Sequence, residues 1–322
     1  MTRAISQPLV TVLTPVYNGE IFLAECIESV LEQTYQNWEY VIVNNKSTDR
    51  TREIAAEFAA IDSRIRIVDN VEFVDVITNH NLAFGELTSE SVYCKLIQAD
   101  DWMFPECIER LVSVAEASPK IGAVGSYCLA NKNVECVGLE YPSACVNGRL
   151  LAKMTLLDQV YPFWSPSVLL IRSSVIRNAA PFYQEAGLHS DVDAMYSMLR
   201  SMDFGFVHQV LTYVRHHSES VTAHDARRAN TQKLSRIKLL MTHGNEFLDG
   251  EVYRKRLESL LEEYYDSVAQ LYLASYRKEF WSYQRLEMKK LGIAFSYMRF
   301  MKSFLAQFMD NPRRALRRLA RS

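Results

Sequence analysis

Four short apolar runs, Leu9–Thr14, Trp38–Val43, Ile65–Val68 and Val92–Ile97, alternate with stretches whose apolar residues recur at helical spacing. Leu23, Ile27, Val30 and Leu31 follow the first run, Ile54, Ala55 and Phe58 the second, and a helical pattern over 79–87 leads into the fourth. Near-continuous apolar strands joined by helices are the pattern of a sheet buried on both faces, with mainly parallel strands. The chain is therefore expected to be α/β, a mixed and mainly parallel sheet flanked by helices. The first run stops at Pro15-Val16-Tyr17-Asn18-Gly19 and the second at Asn44-Asn45-Lys46-Ser47-Thr48-Asp49, whose last three residues can cap the next helix. Ligands of such folds gather at the carboxyl ends of the strands.

The fourth run ends in Gln98-Ala99-Asp100-Asp101. Neighbouring carboxylates repel unless a cation or hydrogen bonds compensate them. Mg²⁺ or Mn²⁺ holding a substrate diphosphate is one compensation. The other reading is a cap, Asp100 or Asp101 starting the helix expected from about Pro105 to Glu116.

Strands are expected at Ile121–Leu129, Ser167–Ile171 and Gly205–Val214, a helix at Asp191–Leu199, and an irregular stretch at Asn131–Tyr161. Beyond Thr222 no strand pattern remains, so a helical region, 226–322, follows a domain of 1–225. Its apolar stripes are Leu257, Leu260, Leu261, Tyr264, Val268, Leu271 and then Phe295, Met298, Met301, Phe304, Leu305, Phe308. Arg314, Arg317, Arg318 and Arg321 share one helical face. The formal charge of −2 over 322 residues gives no case for nucleic-acid binding. Six cysteines without a C-x-x-C pair read as buried thiols in a reducing compartment. The N-terminus lacks the apolar core of a signal peptide and no run approaches the roughly 18 residues that span a bilayer, so a cytoplasmic location is expected.

Several motifs in order carry a resemblance: Thr14-Pro15-Val16-Tyr17-Asn18, Ser29-Val30-Leu31-Glu32-Gln33-Thr34, Ser47-Thr48-Asp49, Asn81, Asp100-Asp101 with Pro105, Ser190-Asp191, and Arg215-His216-His217-Ser218-Glu219-Ser220. Over about residues 8 to 222 the chain resembles inverting family 2 glycosyltransferases, which have the GT-A fold. The resemblance implies that Pro15, Tyr17, Asn44 and Ser47 hold the base and ribose of a nucleotide sugar. It also implies that Asp100 touches ribose or metal, that Asp101 ligates a divalent cation (Mn²⁺ or Mg²⁺), and that His217 adds a ligand. Asp191 is the implied general base, with Asp193 as the fallback, and Trp164-Ser165-Pro166-Ser167 lies where the acceptor pocket is shaped. On residue chemistry alone Tyr17 is equally a half-buried turn aromatic, Trp164 a core residue, Lys46 a solvated loop lysine and Asp191 a helix cap. The chain departs from the family at Asn44-Asn45-Lys46 in place of Asp-Asp-Gly, at Gln98 in place of a carboxylate, and at Ser190 in place of Glu.

The expected activity is metal-dependent, inverting transfer of a sugar from a nucleotide-diphospho-sugar to a saccharide or lipid-linked acceptor in cell-surface polysaccharide or glycoconjugate synthesis. A non-catalytic nucleotide-binding scaffold and a sugar nucleotidyltransferase are the alternatives. The second stripe, taken with the arginines, suits an acidic membrane surface from which a lipid-linked acceptor is reached, and is otherwise read as packing on the catalytic domain or in a homodimer. The arginine face fits either a solvated run or peripheral contact with an acidic membrane surface.

Overall fold

A computed structural model describes residues 7–184, 189–215, 230–274 and 278–310. The chain divides into two compact units, Met1–Arg215 and His216–Ser322.

In the first unit, the strands β1 (Val10–Val16), β2 (Trp38–Asn44), β3 (Ile65–Asp69) and β4 (Tyr93–Leu96) are parallel neighbours in the order β3-β2-β1-β4, as the alternation predicts. Every residue of β1 is buried, which is why its sequence is continuously apolar rather than alternating. The helices α1 (Leu23–Leu31), α2 (Thr51–Ile61) and α3 (Val76–Gly85) make the crossovers. Leu23, Ile27 and Val30 of α1 are fully buried in the core, and each such side chain contributes about 1.5–3 kcal/mol by leaving water.

Beyond β4 the sheet becomes mixed. A two-residue β5 (Trp102–Met103) precedes α4 (Cys107–Ala115), β6 (Ile121–Ala130), β7 (Asn133–Glu135), β8 (Cys145–Val146) and α5 (Gly148–Leu156). They are followed by β9 (Leu170–Arg172), α6 (Ser173–Arg177), α7 (Ser190–Leu199) and β10 (Asp203–Val214). β9 runs antiparallel between β4 and β6, β10 pairs parallel with β6, and β5 closes the edge antiparallel to β10. The strand expected at Ser167–Ile171 is in part a 3-10 turn, Pro166–Val168: Ser165 Oγ accepts from the Ser167 amide at 3.2 Å, and Pro166 fixes the first position. Neither aspartate caps α4, whose cap position is Glu106 without a side-chain bond. All six cysteines are free thiols, five buried and Cys145 exposed.

The second unit holds α8 (Thr231–Phe247), α9 (Gly250–Ala274), α10 (Lys278–Lys290) and α11 (Tyr297–Asp310). α9 packs against α8 and α11, with Leu260, Leu261, Tyr264 and Val268 of the first expected stripe buried. The second stripe is not one face. Phe300 and Phe304 turn inward onto Tyr272, with the Phe300 ring edge-on to Trp281 at 4.9 Å. Met298, Met301 and Leu305 are exposed. The apolar positions cover too wide an arc of α11 for one packing surface to bury them all. No helix among the described residues is long and apolar enough to cross a membrane.

Candidate active site

The carboxyl ends of β1, β2 and β4 bring three polar loops together. The first two are laced by amide donors on one loop and side-chain oxygens on the other. Asn18 N–H donates to Ser47 Oγ (3.0 Å), Gly19 N–H to Thr51 Oγ1 (2.7 Å) and Glu20 N–H to Asp49 Oδ2 (3.0 Å). Asp49 also accepts from the Thr51 amide at the start of α2. Gly19 is required at this turn because a Cβ there would lie 2.7 Å from Val16 Cγ2.

Asn44 and Asn45 are buried and spend their amides on the framework. Asn44 Oδ1 accepts from the Ser47 amide (3.1 Å), and its Nδ2 donates to Asp69 Oδ1 (2.8 Å). Asn45 binds both the amide and the carbonyl of Val74. Its Oδ1 also takes a bond from Asn70, which in turn donates to Asn79 Oδ1. This ladder fixes the loop between β3 and α3. Lys46 adopts φ +59°, the left-handed conformation that suits glycine. Pro15 is buried in β1. Tyr17 is 48% exposed, and its ring meets Phe73, itself 60% exposed, edge-on at 4.8 Å. Phe73 was not legible from the sequence, because loop 70–75 carries no strand or helix period.

Asp100 is half-buried, whereas Asp101 is 3% exposed. Asp101 Oδ2 accepts from the Ser167 hydroxyl (2.5 Å) and Oδ1 from the Arg215 amide (2.9 Å). Arg215 Nε donates to the Asp100 carbonyl (3.0 Å), and its guanidinium reaches Glu25. The ammonium of the fully buried Lys95 donates to the carbonyl of the same Ser167, which ties it to the motif from below. Burial, and then the charge of Asp100, push the Asp101 carboxyl up to about 7. This excess of buried negative charge is what a hard divalent cation relieves, so the pair fits one. His217 lies outside the described residues, and among those described no group of three ligating side chains is assembled.

The raised Asp101 has a consequence for stability. Below its ordinary value of 3.8 the group is protonated in both folded and unfolded chains. Between that value and about 7 the folded chain keeps a proton the unfolded chain has lost. Its contribution is therefore present at low pH and is lost as pH rises through about 7. Denaturant titrations of the metal-free protein should show this fall, and Asp101→Asn should flatten it.

Asp191 lies in the first turn of α7, after His189 at φ +76°. Burial raises its carboxyl, against the lowering effects of His189 and of the Val192 amide. It is close enough to Tyr161 and Tyr183 for its charge to push both phenols up. Tyr161 is 44% exposed, and His189 Nε2 is buried without a hydrogen-bond partner among the described residues. Asp193 is half-buried on the same turn, and its amide donates to the His189 carbonyl at 3.3 Å. Trp164 is half-buried and Ser190 is buried. Asn81 clamps the approach to this helix, donating to the Tyr183 carbonyl and accepting from its amide, both at 2.9 Å.

The motif residues Ser29, Gln33 and Thr34 also prove to be framework. Gln33 Nε2 donates to the Phe104 carbonyl (2.9 Å) and its Oε1 accepts from the Ile108 amide (3.0 Å). Ser29 Oγ accepts from the Met103 amide (3.2 Å), and the Thr34 amide donates to the Pro105 carbonyl (2.9 Å). Together they hold the segment that follows the aspartates.

Residues 11–136 match the family model "Glycosyl transferase family 2". An uncharacterized glycosyltransferase of Haemophilus influenzae is 26% identical over 283 residues, 81% of this chain and 87% of that protein. Relatives at 30–34% identity align over 113–125 residues, and the chain spans 17–49% of their length. Among solved structures, residues 1–349 of Staphylococcus aureus TarS in complex with UDP-GlcNAc superpose with a TM-score of 0.65 at 13% identity, over 87% of this chain and 80% of that one. The mannosyltransferase PcManGT of Pyrobaculum calidifontis, in complex with GDP-Man and Mn²⁺, gives 0.55 at 15% identity, over 96% and 88%. Residues 11–136 thus resemble family 2 glycosyltransferases, and the chain has the fold of GT-A glycosyltransferases such as TarS.

Proposed function

We propose that the chain transfers a sugar, with inversion, from a nucleotide-diphospho-sugar to a hydroxyl of a saccharide or lipid-linked acceptor, in the synthesis of a cell-surface polysaccharide or glycoconjugate. The observation that carries this reading is the juxtaposition, at the carboxyl ends of β1, β2 and β4, of the exposed Tyr17–Phe73 pair with the Asp100–Asp101 loop. An exposed aromatic pair suits a base, and adjacent carboxylates suit a cation-bound diphosphate. The TarS complex with UDP-GlcNAc and the PcManGT complex with GDP-Man and Mn²⁺ support a nucleotide-sugar donor.

Asn44 and Ser47 shape the base pocket through the loops they lace together, and Pro15 lies in β1 two residues before Tyr17. Asp100, the more open carboxylate, faces the diphosphate. Asp101 holds the loop that presents it. A divalent cation, Mn²⁺ or Mg²⁺, held at Asp100 with His217 as a further ligand, would neutralise the leaving diphosphate. Asp191 takes the acceptor's proton, since a desolvated carboxylate with a raised pKa is the better base near neutral pH. Tyr161 offers a face on which an acceptor sugar can stack. The committed amide of Asn44 favours a second reading, donor binding without turnover, which a donor-binding protein inactive on a broad acceptor panel would support.

The test is a thermal-shift screen of UDP, GDP, dTDP and CDP with and without Mn²⁺. One nucleotide at about 100 times its Kd should add about 2.7 kcal/mol of stability, and more with metal. No shift with any of the four would overturn the proposal.

A further inference from the structure

Helix α11 presents a second surface that the sugar chemistry does not use. Its outward face carries Met298 (81% exposed), Met301 (45%), Leu305 (51%) and Met309 (76%), while Phe300 and Phe304 anchor the opposite face in the unit. Positions 298, 305 and 309 fall within about 40° of arc at 100° per residue, with 301 at the edge. Lys302 is exposed beside this stripe. From Leu291 to Met309 the sequence has no Asp or Glu, and after Asp310 it adds Arg313, Arg314, Arg317, Arg318 and Arg321. Without those five arginines the chain's 36 basic residues, against 38 acidic, fall to 31. In the sequence, positive charge is thus concentrated just after the stripe in an otherwise acidic chain.

We infer that this face of α11 lies on an anionic lipid surface. An amphipathic helix held to its unit by one face can sink the other to the acyl boundary, and basic residues close by add attraction to acidic headgroups. A second copy of the chain fits less well. Meeting this stripe with its own, that copy would offer Lys302 no acidic partner, since 291–309 holds no Asp or Glu.

The test is co-sedimentation of the full chain with vesicles of phosphatidylcholine alone or mixed with phosphatidylglycerol. Binding is expected to the anionic vesicles and to weaken with salt. The exposed quadruple variant M298Q/M301Q/L305Q/M309Q should keep its melting temperature and lose at least tenfold in partition. Each arginine changed to glutamine should cost roughly fivefold. Absence of binding to anionic vesicles, or unchanged binding by the quadruple variant, would overturn the inference. A wild-type dimer that the quadruple variant converts to monomer would overturn it in favour of an interface between copies.

Discussion

Replacing Asp191 by asparagine is expected to lower kcat by about 10²–10⁴-fold while leaving donor affinity within twofold. The substitution preserves size and the hydrogen bond from the Val192 amide, but removes the proton acceptor. Asp191 sits on α7, apart from the turns of β1 and β2 that are assigned to the nucleotide, so donor affinity should not depend on it. Burial raises its carboxyl. The acid limb of the pH–kcat profile should therefore lie above the ordinary carboxylate range, with activity falling as pH drops through the raised value. Asp193→Asn is the control and should retain most activity, because residues two apart on a helix face different ways. Loss of donor binding in Asp191→Asn would remove its role as base. Full activity there combined with loss in Asp193→Asn would move the role to Asp193.

The parts of this molecule that were legible in its sequence are those with a local period. Continuous apolar runs gave β1, β2, β3 and β4, and the turn residues after them marked where a site would form. What a single stretch could not reveal are bonds between residues far apart in the chain. Ser167 lies 66 residues from the aspartate it binds, and Asn81 lies 102 from Tyr183. Both look locally like ordinary polar loop or helix residues. The family pattern implies a metal at Asp101, and what the pattern does not carry is burial, which separates Asp101 at 3% exposed from the half-buried Asp100. Asn44 was expected to accept a base N–H, and the bond its Oδ1 takes from the Ser47 amide, across three residues, is one that no period in the sequence announces. The stripe on α11 was misleading for a different reason. Methionine and leucine mark apolar surface whether or not that surface has been covered.

Asp101→Ala is expected to destabilise the fold by about 1–3 kcal/mol, the cost of leaving a buried donor unsatisfied. It strips the acceptor from the Ser167 hydroxyl and the Arg215 amide, and it removes a carboxylate whose charge works against the lowering of Lys95 by burial. Lys95→Met removes the charge below while keeping much of the side chain's volume. The two groups act on one another through Ser167, whose carbonyl takes the ammonium and whose hydroxyl serves the carboxylate. The double variant Lys95→Met/Asp101→Ala should therefore cost less than the two single losses combined, by about 0.5–3 kcal/mol. Additivity within about 0.5 kcal/mol would mean that Lys95 does not sense the aspartate. Donor binding separates the two roles open to Asp101. If it positions the loop, Asp101→Asn should weaken nucleotide binding yet leave what remains dependent on Mn²⁺, because Asp100 would then be the carboxylate proposed to meet the diphosphate. If it is itself a metal ligand, the dependence on Mn²⁺ should disappear in the same variant. Burial and the filled hydrogen bonds of Asp101 favour the first outcome.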